Sequence, residues 1–173
     1  MNIQYQIGRS ALGHEHHRSD LLVKSEQLAR EVHAGQLYGG VDYTEAHLLP
    51  VANLVSAMGY GELYQAVALL HDAPEDNQQL TPDYMIYWGI PREVVEAVFI
   101  LDKTKYHTHI AYLLAVSANP LASVGKVGDS LFNLTNILRG DHQFNRTKAQ
   151  SKINEYCGNL SYLLPCLPAS DVI

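Results

Sequence analysis

The chain has 173 residues, of which 47% are hydrophobic and 17% charged, and its formal net charge is −6. This length is that of one ordinary domain, and the composition excludes an intrinsically disordered protein. The acidic balance excludes the broad positive surface that duplex nucleic acid requires, so we expect no duplex nucleic acid as a partner.

Neither disulfides nor a membrane segment is predicted. The two cysteines, Cys157 and Cys166, are too few for a disulfide framework. No apolar run reaches the length of a membrane span, and the N-terminal residues lack a signal-peptide pattern. We expect a cytoplasmic protein with no membrane partner.

The first 18 residues form no clear periodic pattern. We expect an N-terminal arm over residues 1–18, with a short strand at residues 3–7, followed by one domain over residues 19–173. The arm carries the cluster His14, His16 and His17. We interpret this cluster as part of an exposed segment rather than a metal-binding tract.

Helical patterns begin at the domain boundary. Ser19 predicts the N-cap of a helix that ends near Gly35. A loop is expected over residues 38–43. A second helix is expected over residues 44–59, where Pro50 either fits within the first turns or kinks the helix.

The next helix, over residues 62–71, is apolar on most sides and is predicted to be the central one. It leads into a polar turn at residues 72–77. The pair Thr81-Pro82 predicts the start of a short helix that ends at Gly89.

The remaining periodic segments predict four further helices, over residues 91–101, 107–117, 120–140 and 146–164, and Asn119-Pro120 opens the third of them. The sequence therefore predicts an all-α, single-domain multi-helix bundle. The tail around residues 156–167 is apolar enough for either an interior helix or a homodimer contact.

Two metal-competent side chains interrupt a strongly apolar helix at its C-terminal end. His71 and Asp72 follow Leu69-Leu70, and both can converge on one ion if the helix ends there. The alternative is a structural helix C-terminus, with the imidazole near the negative end of the helix dipole.

Two further candidates lie elsewhere in the chain. His47 is near the start of the second helix, and Asp129 shares a face of a later helix with Lys126 and Asn133. Two imidazoles and two carboxylates suit one divalent ion, Mn²⁺ first, with Fe²⁺, Co²⁺ or Zn²⁺ as alternatives. Such an ion lowers the pKa of a bound water and stabilises charge on a phosphoryl oxygen.

The order His…His-Asp…Asp resembles the HD phosphohydrolase superfamily. Further motifs resemble the hydrolase domain of RelA/SpoT-type proteins and the small alarmone hydrolases over about residues 25–140. These motifs are His33-Ala34-Gly35-Gln36, Tyr38, Tyr43, His47, Leu69-Leu70-His71-Asp72-x-x-Glu75-Asp76, Gly89, Leu101-Asp102-Lys103-Thr104-Lys105 and Lys126-Val127-Gly128-Asp129-x-x-x-Asn133-Leu134.

The resemblance implies an HD-type bundle and a role for each matching residue. The implied metal ligands are His47, His71, Asp72 and Asp129. The implied catalytic acids are Glu75 and Asp76, near the attacking water. The implied substrate contacts are Lys103, Lys126 and Asn133. Arg30 is a further candidate, as a substitute for the basic residue that binds the base in this family.

One position departs from the family pattern. Alarmone hydrolases carry a basic residue that stacks on the guanine, two positions before the histidine of the His-x-x-Gln run. This chain has Glu31 there, with Arg30 immediately before it. A glutamate cannot supply a cationic stacking surface, and Arg30 points about 100° away on a regular helix.

The resemblance implies metal-dependent hydrolysis of a nucleotide phosphate or pyrophosphate ester, with (p)ppGpp 3′-pyrophosphohydrolase activity as the leading hypothesis. The alternatives are an HD-type nucleotidase acting on another nucleotide and a non-catalytic nucleotide-binding regulatory module. A third alternative is a helical bundle with purely structural histidines, in which the four proposed ligands would lie far apart.

Overall fold

The computed structural model describes residues 19–140 and 144–170, and helices dominate them. The α-helices are α1 (Asp20–Val32), α2 (Leu49–Ala57), α3 (Glu62–Leu70), α4 (Ala73–Asp76), α5 (Pro82–Tyr87), α6 (Arg92–Ile100), α7 (His109–Ser117), α8 (Pro120–Arg139) and α9 (Arg146–Leu163). Short 3₁₀ turns cover Lys103–Lys105 and Leu164–Cys166. The prediction of an all-α bundle is confirmed. The predicted arm, with its histidine cluster, lies outside the described residues.

Side-chain caps begin several helices where the sequence predicted them. Ser19, Thr81 and Asn119 each accept a hydrogen bond from a backbone N–H three residues further on. Each cap satisfies a donor that the first helical turn leaves without a partner. The starts of α1, α5 and α8 were therefore readable from local sequence.

The loop expected at residues 38–43 contains a small hairpin. Strands β1 (Leu37–Tyr38) and β2 (Val41–Asp42) pair antiparallel around Gly39 and Gly40. Both glycines have positive φ, +60° and +88°. A two-residue hairpin turn of this kind requires that conformation at both positions.

A π-helical turn, Thr44–Leu48, runs directly into α2. The Leu49 N–H donates to the Thr44 carbonyl five residues back, which is the π-helical spacing. Pro50 follows and has no N–H to continue the α-helical pattern in the preceding turn. Of the two alternatives for Pro50, accommodation within the first turn is the one observed, because Pro50 is the second residue of α2.

Helix α3 is the central helix, as predicted, and α1, α2, α6 and α8 all contact it. Helix α8 approaches its neighbours closely because two glycines face them. A Cβ at Gly128 would lie 2.7 Å from Val55 Cγ2 of α2, and one at Gly125 would lie 2.9 Å from Val67 Cγ1 of α3. This close packing brings α8 directly against α2 and α3. Among the described helices, none combines the length and hydropathy that crossing a membrane requires.

Candidate metal centre

Four side chains from three parts of the chain converge at one point. His47 lies in the π-helical turn, His71 and Asp72 directly follow α3, and Asp129 lies in the middle of α8. The His71 Nε2 atom is 3.0 Å from Asp72 Oδ2, 3.4 Å from His47 Nε2 and 3.5 Å from Asp129 Oδ1. The structure thus brings together the four residues that the sequence offered as ligands.

The separations within this cluster fit a divalent metal ion. Ligand atoms about 2.1 Å from one ion lie about 3.0 Å apart at neighbouring octahedral positions and about 3.4 Å apart at tetrahedral positions. The distances from His47 Nε2 to Asp72 Oδ2 and Asp129 Oδ1 are 3.4 and 3.5 Å. Two imidazole nitrogens and two carboxylate oxygens are also a donor set that borderline divalent ions accept. These residues can therefore hold such an ion.

The hydrogen bond of His71 leaves its inner nitrogen free for a ligand. Its Nδ1 lies 2.8 Å from the Ala68 carbonyl oxygen, which can only accept. A neutral His71 ring therefore carries its proton on Nδ1 and directs the Nε2 lone pair into the cluster. His47 differs, because its buried Nδ1 has no hydrogen-bond partner in the described part of the chain.

Hydrogen-bond donors from neighbouring residues hold both carboxylates of the cluster in place. The Tyr43 hydroxyl donates to Asp72 Oδ2 over 2.6 Å. Lys126 Nζ donates to Asp129 Oδ2 over 2.8 Å, and the Asn133 side-chain amide donates to Asp129 Oδ1. These donors orient the carboxylates and stabilise their charged forms.

Charge coupling within the cluster shifts the pKa values of its members. Burial raises the pKa of Asp72 and of Asp129. The charge of His71 and the hydrogen bonds of His47 and His71, joined by Lys126 at Asp129, together outweigh burial, so both pKa values lie well below the usual range. Burial lowers the pKa of His71, and Asp72 and Asp129 together raise it well above the usual value. The pKa of His47 is raised for the same reason. The two anionic carboxylates therefore favour a cation between them, either protons on the imidazoles or a metal ion.

A cavity of about 230 Å³ opens beside the cluster, and Glu75 and Asp76 of α4 line it. Lys103 Nζ lies 2.6 Å from Glu75 Oε1. Gln36 Nε2 donates to Asp76 Oδ2 over 2.9 Å, and His33 Nδ1 lies 2.8 Å from Gln36 Oε1. Both acids are thus oriented by neighbouring side chains and face the cavity. The one-turn helix α4 replaces the polar turn that the sequence suggested.

The hairpin supplies one wall of the cavity. Tyr38 stacks on His47 with ring centroids 5.3 Å apart and an interplanar angle of 16°. Its hydroxyl donates to Asn133 Oδ1 over 3.2 Å. Asn133 is therefore shared between the hairpin and Asp129, at the position where the sequence placed a substrate contact.

Helix α9 contributes three cavity residues that the sequence did not single out: Lys152, Glu155 and Tyr156. Lys152 Nζ lies 2.8 Å from Glu155 Oε2 and sits over the Tyr156 ring at 5.7 Å. Their helical spacing of three and four residues was visible in the sequence. Any exposed helix face has that spacing, so only the packing of α9 on α8 reveals these residues.

Arg30 is not brought to the cavity. Its guanidinium bonds Glu26 and Glu45, at 2.7 and 2.5 Å, and lies 3.8 Å from Asp42. Those three carboxylates hold it on the outer side of α1. Glu31 lies beside a different pocket, where its carboxylate accepts a 2.6 Å hydrogen bond from the Tyr84 hydroxyl.

The sequence matches no protein-family model and no curated protein. A solved structure that does match is that of a metazoan ortholog of SpoT, described as hydrolysing ppGpp and playing a role in starvation responses. The match covers 89% of each chain, with a TM-score of 0.67 and 19% sequence identity. This chain has the fold of that SpoT ortholog. At this identity the likeness establishes the architecture, and it confirms the expected resemblance to RelA/SpoT-type hydrolase domains at that level.

Proposed function

We propose that this protein is a metal-dependent phosphohydrolase that cleaves a phosphate or pyrophosphate ester of a nucleotide, with (p)ppGpp 3′-pyrophosphohydrolase activity as the leading candidate. The observation that carries the proposal is the convergence of His47, His71 and Asp72, with Asp129 Oδ1 3.5 Å from both histidines. A cavity lined by two further acids opens beside this cluster. A purely structural role for the histidines does not explain this convergence.

The charge of the cavity supports a bound cation. Its lining contains more carboxylates than ammonium groups: Asp72, Glu75, Asp76, Asp129 and Glu155 against Lys103, Lys126 and Lys152. An anionic phosphate ester would be repelled by this lining alone. A divalent ion, Mn²⁺ by preference, would be held by the four ligand residues, would lower the pKa of water and would offset the charge of a phosphoryl group.

Glu75 and Asp76 are the groups that we propose to accept the proton of the attacking water. They follow the Asp72 ligand by three and four residues, so one helical turn places them beside the ion site. Lys103 orients the first carboxylate and Gln36 the second. Their acceptor oxygens are thus presented to the cavity before substrate binds.

The size and lining of the cavity support a substrate with a compact anionic end. About 230 Å³ is below the roughly 300–1,000 Å³ typical of sites that enclose a whole small molecule. The cavity therefore suits the phosphate-bearing end of a nucleotide, with Lys103, Lys126 and Asn133 as its proposed contacts. The leading candidate, (p)ppGpp, follows from the shared fold and from what is stated of the SpoT ortholog.

The surroundings of Glu31, the residue that departs from the family pattern, favour a second candidate substrate. Arg30 is occupied by three carboxylates, and Glu31 bonds Tyr84. Neither presents a cationic surface to the cavity for a guanine base. We therefore propose a nucleotidase acting on another nucleotide, through the same metal cluster, as the second candidate function.

A hydrolysis screen with Mn²⁺ tests the proposal, using guanosine and adenosine phosphates that include ppGpp. Release of pyrophosphate from ppGpp faster than phosphate from the other esters is the expected result. Equal or slower cleavage of ppGpp would remove the alarmone assignment and retain the hydrolase. Absence of any cleavage by the Mn²⁺-loaded protein would favour the regulatory module.

We further propose a cytoplasmic location and a homodimer. A nucleotide substrate of this class favours action in the cytoplasm, and fractionation of cells tests this location. The exposed Leu164 at the apolar C-terminal tail is compatible with a homodimer contact, and analytical ultracentrifugation tests that expectation.

A further inference from the structure

One stripe of α9 links the cavity to the protein core. Lys152, Tyr156, Asn159 and Leu163 are spaced by four, three and four residues, so they share one face of the helix. The first two line the cavity, whereas Asn159 and Leu163 are fully buried. The first half of this helix face therefore forms a wall of the cavity. The second half, Asn159 and Leu163, is buried in the protein core and is called the anchor of α9.

Asn159 is a buried amide that joins three helices. Its Oδ1 lies 2.9 Å from His109 Nε2 at the start of α7, and its Nδ2 donates to Ser130 Oγ of α8 over 3.4 Å. Ser130 is itself fully buried and directly follows the ligand Asp129. These bonds connect the anchor of α9 to the helix that carries the metal ligand.

An amide at this position restricts how α9 can pack. A buried polar group is destabilising unless it is hydrogen-bonded, so packings that break its bonds are disfavoured. A single buried asparagine can specify helix register in this way, at some cost in stability. Rotation of α9 by one residue would turn its faces by about 100°. That rotation would break both bonds of Asn159 and remove Lys152 and Tyr156 from the cavity.

We propose that Asn159 is a positioning residue, which through His109 and Ser130 fixes the rotation of α9 and so holds Lys152 and Tyr156 against the phosphate groups of the substrate. This inference rests on the proposed function for the identity of the ligand. Asn159 itself does not line the cavity, and its effect is exerted on substrate binding rather than on the metal ligands.

The variant Asn159→Leu, made in the full chain, tests this inference. Asn154→Leu is the matched control, because Asn154 is an exposed residue of the same helix, and its side chain accepts a hydrogen bond from Gln150 on the surface. Isothermal titration calorimetry would measure the Kd for Mn²⁺ alone. It would then measure the Kd of the Mn²⁺-loaded protein for inorganic pyrophosphate. Steady-state hydrolysis would give kcat and KM for the best substrate of the screen.

For Asn159→Leu we expect a rise of about tenfold in the pyrophosphate Kd and in KM, with the Mn²⁺ Kd within twofold and kcat within threefold of wild type. Asn154→Leu should leave all four values unchanged. His109→Leu removes one of the two bonds from the opposite side and should raise the pyrophosphate Kd in part. Its effect should not add to that of Asn159→Leu, because the two residues form one contact.

Lower thermal stability of Asn159→Leu with unchanged KM and pyrophosphate affinity would overturn the inference and leave the hydrolase standing. If Asn159→Leu fails to fold, His109→Leu decides by the same two readouts. If the wild type binds pyrophosphate with Mn²⁺ but cleaves no nucleotide, the proposed function fails. The inference is then tested by comparing the pyrophosphate Kd of the variants with that of the wild type. Failure of the wild type to bind pyrophosphate would overturn the inference as well.

Discussion

The Nε2 atoms of His47 and His71 face each other across 3.4 Å, although 24 residues separate them in the chain. The bond from His71 Nδ1 to the Ala68 carbonyl places the proton of a neutral His71 on Nδ1. The His71 Nε2 lone pair can therefore accept either an N–H from His47 Nε2 or a cation between the two rings.

Removal of a ligand should therefore abolish metal binding. We expect the wild type to retain about one equivalent of Mn²⁺ after gel filtration, and His71→Ala and Asp129→Ala to retain none, because each loses a donor from a four-residue site. Elemental analysis measures this. His107→Ala, which changes an exposed histidine, should bind as the wild type does. Full occupancy in His71→Ala would contradict the assignment.

The Tyr43 hydroxyl should tune the affinity for metal. Tyr43→Phe removes the 2.6 Å donor to Asp72 Oδ2, and loss of such an outer partner lowers metal affinity by about 10–100-fold. Calorimetry with Mn²⁺ measures the change. Tyr84→Phe is the matched control, because it removes an equally short hydroxyl bond, to Glu31, outside the cavity. Equal Mn²⁺ affinities for the two variants would show that Tyr43 has no such role.

The acidic pair of α4 should act in the chemical step. Glu75→Gln and Asp76→Asn keep the side-chain shape and remove the proton acceptor. We expect kcat to fall by about 10²–10⁴-fold in at least one of them, with Mn²⁺ still bound. Glu93→Gln, at an exposed position of α6, should retain full activity. Retention of wild-type kcat by both cavity variants would refute the assignment.

Close packing at Gly128 should be sensitive to a single methyl group. Gly128→Ala places a Cβ 2.7 Å from Val55 Cγ2, and overpacking of this kind destabilises by about 1–3 kcal/mol. Urea denaturation measures the free energy of unfolding. Gly158→Ala on α9 has nothing within 4 Å of the new Cβ and should be neutral, or stabilising by up to about 1 kcal/mol. Equal stabilities of the two variants would mean that α8 can move away from α2.

The stability of the metal-free protein should depend on pH in a specific direction. The raised pKa values of His47 and His71 contribute stability that is complete below the unfolded value of about 6.5 and is lost as pH rises through the folded values. The lowered pKa values of Asp72 and Asp129 contribute stability above about pH 3.9, lost as pH falls through the folded values.

We therefore expect the metal-free protein to unfold more easily at pH 8 than at pH 6. Mn²⁺ should reverse this trend, because the ion competes with the protons on the imidazoles and binds more tightly as pH rises. Urea denaturation with EDTA or with Mn²⁺ at both values measures it. A metal-free protein that is more stable at pH 8 than at pH 6 would contradict the coupling.

Local sequence determined the helical architecture and the composition of the centre. Ser19, Thr81 and Asn119 could be recognised as caps because a cap bonds a backbone group only three residues away. The His-Asp pair stood out because it follows a strongly apolar helical segment.

Tertiary packing alone decided which other side chains reach the cavity. Arg30 was a candidate contact, yet Asp42 and Glu45, which follow in the hairpin and the π-helical turn, bind it on the outside of α1. Lys152 and Tyr156 gave no distinctive signal, because their place depends on how α9 packs against α8. Caps and periodicity act within a few residues, whereas ion pairing and helix rotation depend on groups far apart in the chain, so no local pattern encodes them.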